Sequence, residues 1–131
     1  MQFTLKANFP VAAQALYNAW LSSEEHSKMT GAIAKIGQQI GDRFTAWDGY
    51  ISGTNLELKP PFKIVQSWRT TEFPTNQSDS VIELTFSEVG KNTELTLHHS
   101  SLGKDDLQYK QGWLDHYFTP MKAYFQGKTS S

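Results

Sequence analysis

The sequence predicts an α+β domain in which a curved antiparallel sheet wraps a long C-terminal helix. Three observations predict it. The chain opens on a strand followed at once by two short helical stretches. Its middle is a succession of strand-like runs joined by tight turns. It closes on a helix with two adjoining apolar bands where a surface helix carries one. At 131 residues there is material for one core and not for two, so residues 1–126 are expected to form a single domain and 127–131 a frayed, disordered tail.

Taken in order, Phe3, Leu5, Ala7 and Phe9 share one face of the opening run and Thr4, Lys6 and Asn8 the other. That period of two marks a half-buried strand. Pro10 ends it and is placed to open a helix, because a proline in the first turn forfeits no hydrogen bond. From Val11 to Trp20 the chain is rich in Ala, with Ala12, Leu16 and Trp20 at a four-residue spacing. Ser22 followed by Glu25 is a capping-box pattern and starts a second helix reaching about Met29.

Gly37 to Gly41 then separates a short run around Ile33–Ile36 from Arg43–Trp47. Asp48-Gly49 between strand-like runs is a strong hairpin signal, with Tyr50–Leu58 as the return strand. Pro60-Pro61 turns the chain into Phe62–Thr70; a polar loop around Phe73–Asp79 leads to Ser80–Ser87; and Gly90-Lys91-Asn92 leads to Thr93–Ser100. Short connections of this kind imply an antiparallel meander.

The closing helix is expected from about Lys104 to Gln126. At about 100° per residue, Leu107, Leu114, Phe118, Met121 and Phe125 fall in one stripe roughly 60° wide. Trp113, Tyr117 and Tyr124 form a second band beside it. Two bands call for a helix clasped by the sheet, a helix-grip arrangement with room for a cavity. Pro120 cannot donate to the carbonyl of His116, so a kink is expected there.

Composition narrows the functional classes. Thirteen acidic against twelve basic residues leave a net charge of -1, and the basic residues are scattered singly. That excludes a dedicated nucleic-acid or anionic-membrane surface, which needs clustered Lys and Arg. Without a single Cys there is no disulfide framework, thiol nucleophile or thiolate metal site. The N-terminal run alternates, unlike a secretory signal, and no stretch approaches a membrane span, so a cytoplasmic location is expected. Four Trp, five Tyr and eight Phe make up 13% of the chain, an aromatic mass suited to lining a pocket.

Motifs for chemistry are sparse. No nucleophile elbow or phosphate loop is present. His98 and His99 are adjacent on a strand, so they point to opposite faces and cannot share a metal; His26 and His116 stand alone. No metal site and no cofactor are expected. His99 shares parity with Leu95 and Leu97 and is expected to be buried and neutral. Ile64, Gln66 and Trp68 share one strand face, with Arg69 on the other, a surface position suited to pairing with a carboxylate. The expected cavity-wall residues are Gln66, Trp68, His99, Trp113, Tyr117, Met121 and Tyr124, set against ordinary core packing, which is the commoner role of such side chains.

Several segments also carry a resemblance. Asp48-Gly49-Tyr50-Ile51-Ser52-Gly53, Leu56-Glu57-Leu58, Pro61 with Lys63-Ile64-Val65-Gln66-Ser67-Trp68-Arg69, Ser80-Val81-Ile82 and Thr93-Glu94-Leu95-Thr96-Leu97 follow one another in a specific order. Gly112-Trp113, Tyr117-Phe118 and Tyr124-Phe125 complete it. From Gly41 to Phe125 the chain resembles the C-terminal domain of activators of the ninety-kilodalton heat-shock chaperone's ATPase and their single-domain bacterial relatives. These belong to the START-like (SRPBCC) superfamily, and Pro10–Trp20 is similar to the family's first helix. The resemblance implies a helix-grip fold of START-like, Bet v 1-like type. It also implies membership of a group whose members either assist the chaperone or bind small apolar molecules, without choosing between them. The double apolar band and the aromatic mass favour a non-enzymatic domain that binds a small hydrophobic or amphipathic molecule between sheet and C-terminal helix. The alternatives are a co-chaperone-like module acting on that chaperone and a cavity enzyme with few catalytic residues.

Overall fold

The computed structural model describes residues 2–103 and 106–129. Strand β1 (Phe3–Phe9) leads into α1 (Ala13–Leu21) and α2 (Ser23–Thr30). The meander follows as β2 (Lys35–Ile36), β3 (Arg43–Ala46), β4 (Ile51–Lys59), β5 (Lys63–Thr70), β6 (Ser80–Val89) and β7 (Asn92–Ser100). The final rod comprises α3 (Gln108–Trp113), a π-helical turn over Leu114–Phe118 and α4 (Thr119–Thr129).

All seven strands form one antiparallel sheet in the order β1-β7-β6-β5-β4-β3-β2. The meander therefore closes by returning β7 to the side of β1. Strict alternation makes its inner face: Ile64, Gln66, Trp68 and Thr70 on β5, Ser80, Ile82, Leu84 and Phe86 on β6, and Thr93, Leu95, Leu97 and His99 on β7 are all buried. An extra residue in β4 between Asn55 and Glu57 bulges the strand, and a bulge bends and twists a sheet locally. The curved sheet clasps the C-terminal rod, as expected from the apolar bands.

Local details differ from the sequence reading in four places. Pro10 lies ahead of α1, whose N-cap is Ala12. Ala12 is exposed, and the buried stripe is Ala13, Leu16, Tyr17 and Trp20, one residue out of phase with Ala12. Ser22 does cap α2, its Oγ accepting from the Glu25 amide at 3.2 Å.

The hairpin turn is the second difference. Left-handed backbone begins at Trp47 (φ 53°) and continues through Asp48 (58°) and Gly49 (91°). The turn closes with the Gly49 amide on the Ala46 carbonyl at 3.2 Å, so Trp47 belongs to the turn and not to β3.

The third and fourth concern the closing rod. It begins at Gln108, while Lys104 and Asp105 lie outside the described residues. It carries through Gly127–Thr129, where a frayed tail is expected; Ser130 and Ser131 lie outside the described residues. Leu107 is 56% exposed and Leu114 half-buried, so the predicted stripe fails at its upstream end. The residues turned inward are Tyr109, Trp113, Tyr117, Met121 and Phe125, with Phe118 alongside. A strict four-residue spacing drifts about 40° per step around an α-helix, some 160° over four steps. The π turn, in which the Thr119 amide reaches back to the Leu114 carbonyl, inserts a residue and takes up about 100° of that drift. It stands immediately before Pro120, where the sequence predicts a kink.

Close approach between β4 and β5 needs a glycine. A Cβ on Gly53 would lie 1.9 Å from the Ser67 carbonyl oxygen and 2.7 Å from the Phe44 ring. Backbone must therefore shift to admit one. Gly53→Ala is expected to lower stability by about 1–3 kcal/mol, read as a lower urea midpoint; an unchanged midpoint would contradict this strand spacing.

Candidate functional site

Between one end of the sheet and the C-terminal rod lies a cavity of about 460 Å³, within the range of small-molecule sites. The β3–β4 hairpin contributes Trp47, Tyr50 and Ile51; β5 contributes Trp68, with Glu72 just beyond it. The rod contributes two parallel lines at four-residue spacing. Tyr109, Trp113 and Tyr117 are buried and form the inner line. Gln108, Gly112 and His116 form the outer one, with Gln108 and His116 exposed at the mouth.

Aromatic rings make most of the wall. Trp68 and Trp113 lie 5.8 Å apart between centroids at 34°, and Trp113 and Tyr117 4.7 Å apart at 35°. Tyr109 meets Trp68 edge-on at 5.1 Å. The hairpin's left-handed turn places Trp47 against this group, edge-on to His116 at 5.5 Å. Positive φ at a bulky residue costs about 1–2 kcal/mol, so the surrounding structure holds Trp47 there.

Behind the wall run directed polar chains. Trp113 Nε1–H donates to His99 Nδ1 at 3.0 Å. The other ring nitrogen, Nε2–H, then donates to Ser80 Oγ at 2.8 Å, and Ser80 donates to the Trp68 carbonyl at 2.8 Å. Each link sets the next, because the carbonyl at the end can only accept. Two wall residues are thus tied through one imidazole. In a second chain the Tyr117 hydroxyl donates to His26 Nε2 at 2.9 Å, and His26 Nδ1–H donates to the Trp20 carbonyl at 2.9 Å. In a third, Trp20 Nε1–H donates to Gln66 Oε1 at 3.1 Å, and Gln66 Nε2 donates to Asn55 Oδ1 at 2.8 Å.

At the mouth, Tyr50 donates its hydroxyl to Glu72. Burial and that carboxylate together hold the Tyr50 phenol above its ordinary range. Thr70 Oγ1 and the Tyr109 hydroxyl lie 2.7 Å apart beneath it. Trp47 Nε1 is buried and has no hydrogen-bond partner among the described residues.

Of the seven wall residues expected from sequence, the structure puts Trp68, Trp113 and Tyr117 on the cavity and the other four elsewhere. Gln66 and His99 lie behind the wall with their polar atoms engaged by protein. Met121 is fully buried further along the rod. Tyr124 is half-buried and donates to the Glu25 carboxylate. Sequence reasoning missed the other eight lining residues, among them Trp47, Tyr50, Glu72 and Tyr109. The signal for Trp47 was its adjacency to Asp48-Gly49, where the first central residue of a tight turn can project sideways.

A second cleft of about 810 Å³ lies between Tyr17–Glu25 and the Gln38–Ile40 segment. It is broad, and Tyr17 is the one ring on it. No group of three or more His, Cys, Asp or Glu able to hold a metal occurs among the described residues, and no described helix is long and apolar enough to cross a membrane.

Burial pushes His26 down to about 4 and His99 down to about 3. Unfolded imidazoles titrate near 6.5, so between that value and the folded values the unfolded chain binds more protons. Stability present above about pH 6.5 must therefore fall on acidification, by up to about 1.4 kcal/mol per pH unit for each imidazole. Urea midpoints should decline steadily from about pH 6.5 toward pH 4; a flat profile there would contradict the two buried neutral rings.

Comparison with known proteins agrees with this architecture. A curated relative in Dictyostelium discoideum, "Activator of 90 kDa heat shock protein ATPase homolog", is 26% identical over 111 residues, covering 83% of this chain and 29% of that one. A mouse relative, "Activator of 90 kDa heat shock protein ATPase homolog 2", is 30% identical over 89 residues, covering 68% of this chain and 27% of that one. The chain thus spans less than a third of the length of these curated relatives. The crystal structure of an HSP90 activator from Plasmodium falciparum shares the fold, with a TM-score of 0.82 at 22% identity over 91% of each chain. The profile of the family described as "Activator of Hsp90 ATPase homolog 1-like protein" matches residues 10–126, nearly the whole sheet and the clasped rod, and this chain belongs to that family.

Proposed function

We propose that this chain binds a small, largely apolar molecule in the aromatic cavity between the hairpin, β5 and the C-terminal rod. The carrying observation is an aromatic cavity of about 460 Å³, open at its mouth, on whose inner wall the polar atoms of Trp113 and Tyr117 are engaged by protein. Trp47 adds support, being kept at positive φ on the wall with an N–H that no described residue accepts. A buried donor without an acceptor costs about 1–3 kcal/mol, and an oxygen or nitrogen on a ligand would recover it. Burial of apolar ligand surface contributes roughly 25 cal/mol per Å² before ordering costs.

A second reading is contact with the ninety-kilodalton chaperone, favoured by the names of the curated relatives and of the Plasmodium structure. It predicts retention of the chaperone by the immobilised chain and a change in its ATPase rate. The two readings are compatible, since a ligand in the cavity leaves the outer face of the sheet uncovered.

Gly112 supplies the test for the cavity. It lines the space, and a Cβ added there meets nothing within 4 Å. Gly112→Ala is expected to stabilise the helix by about 0.5–1 kcal/mol. Gly112→Leu is expected to fold, and to abolish the thermal shifts that lipids, flavonoids or other hydrophobes give the parent chain. Undiminished shifts in Gly112→Leu would place binding elsewhere.

A further inference from the structure

Charge on the cavity is one-sided. Of its eleven lining residues, Glu72 is the one carboxylate, and neither Lys nor Arg is among them. Glu72 is exposed at the mouth and belongs to none of the ion pairs among the described residues. Its Oε2 accepts from Tyr50, another lining residue, which fixes the carboxylate beside the opening. Elsewhere in the fold the half-buried Glu57 and Glu83 share Lys63, and Asp79 pairs with Arg69 at 2.6 Å. The exposed Asp42 and Glu88, like Glu72, have no ion pair among the described residues, but neither of them lines the cavity. Arg69, next in sequence to Trp68, points away to the Asp79 side of the sheet. Asp48 and Asp115, next to the lining residues Trp47 and His116, are also exposed and add negative charge near the mouth; Lys110 beside Tyr109 is the cation on that stretch of the rod.

Six Trp and Tyr rings line the same space, Trp47, Tyr50, Trp68, Tyr109, Trp113 and Tyr117, with the His116 imidazole at its mouth. The face of an aromatic ring is the negative end of its quadrupole, and a cation within about 6 Å of the centroid is attracted to it, Trp most strongly. A wall of this composition therefore offers apolar contact without disfavouring positive charge. Glu72 repels an anionic molecule at the mouth and no lining Lys or Arg offsets it, so the donors left to one are Trp47 Nε1–H and the His116 imidazole.

From a carboxylate outside any ion pair at the mouth of an aromatic cavity we propose that the cavity selects organic cations, an amine or quaternary ammonium group carried on an apolar body. The head lies among the rings and toward Glu72, and the body fills the space beside Gly112. This rests on the reading of the cavity as a ligand site and narrows it to one chemical class.

Three probes of matched body decide it: phenylbutyltrimethylammonium, phenylbutanol and phenylbutyrate, each titrated by calorimetry against the parent chain and Glu72→Gln. The cation is expected to bind about tenfold more tightly than the alcohol, and the carboxylate most weakly. Glu72→Gln is expected to weaken the cation about threefold and to leave the alcohol unchanged, with the difference shrinking in high salt. Glu72 is exposed, so the variant tests charge and not folding. Alcohol or carboxylate binding as tightly as the cation would overturn the selectivity while leaving the cavity as a binding site. A cation preference unaltered in Glu72→Gln would overturn the role of Glu72. Silence from all three probes would remove the binding site and this proposal together.

Discussion

A line of side chains four residues apart, Tyr109, Trp113, Tyr117, Met121 and Phe125, must all face one curved sheet from a single helical rod. Regular α-helical geometry cannot keep such a line straight, because the repeat is 3.6 residues. The π turn over Leu114–Phe118 reconciles the two. It does so at the middle of the rod, so the upstream half presents rings to the hairpin end while the downstream half packs Met121 and Phe125 into the core. Wider turns of this kind are locally weaker and recur at functional sites. Here the turn carries His116 and Tyr117, both on the cavity.

Polar atoms then decide which parts of the interior are solid and which are open. Asn55, Gln66 and Trp20 form a closed chain beneath β4 and β5. His99 joins Trp113 to Ser80 and the Trp68 backbone; His26 joins Tyr117 to the Trp20 backbone. Satisfied buried networks specify one arrangement, since breaking one link strands a donor or acceptor out of water. Trp113 and Tyr117 are therefore held by their tips as well as by ring contacts, and neither is free to swing into the adjoining space. The two buried side-chain polar atoms without partners among the described residues, Trp47 Nε1 and Tyr17 Oη, belong to residues lining the two concavities.

Much of the fold was legible because strand parity is a two-state property: once Ile64 faces inward, Gln66 and Trp68 follow, and Leu95, Leu97 and His99 do likewise. The antiparallel meander, the Ser22 cap and the clasped rod were all recoverable from local pattern. Helical phase was harder. A projection at a uniform 100° grouped Leu107 and Leu114 with Phe118, and only a break in regular geometry moves Tyr109, Trp113 and Tyr117 into line with Met121. The site suffered from the same limits. Gln66 and His99 were correctly turned inward, but facing inward does not distinguish a wall residue from one whose polar atoms are already spent on protein. Trp47 depended on positive backbone φ at a bulky residue, which composition disfavours and local pattern does not reveal.

The central claim is that the clasped rod and the hairpin hold an apolar space open in the free protein. A crystal structure determined under xenon pressure tests it most directly, since xenon occupies dry apolar cavities. The account predicts xenon density bounded by Trp47, Trp68 and Trp113, with the π turn intact. Absence of xenon, with the Trp47 or Trp113 ring turned into that volume and a regular α-helix through Leu114–Phe118, would contradict it.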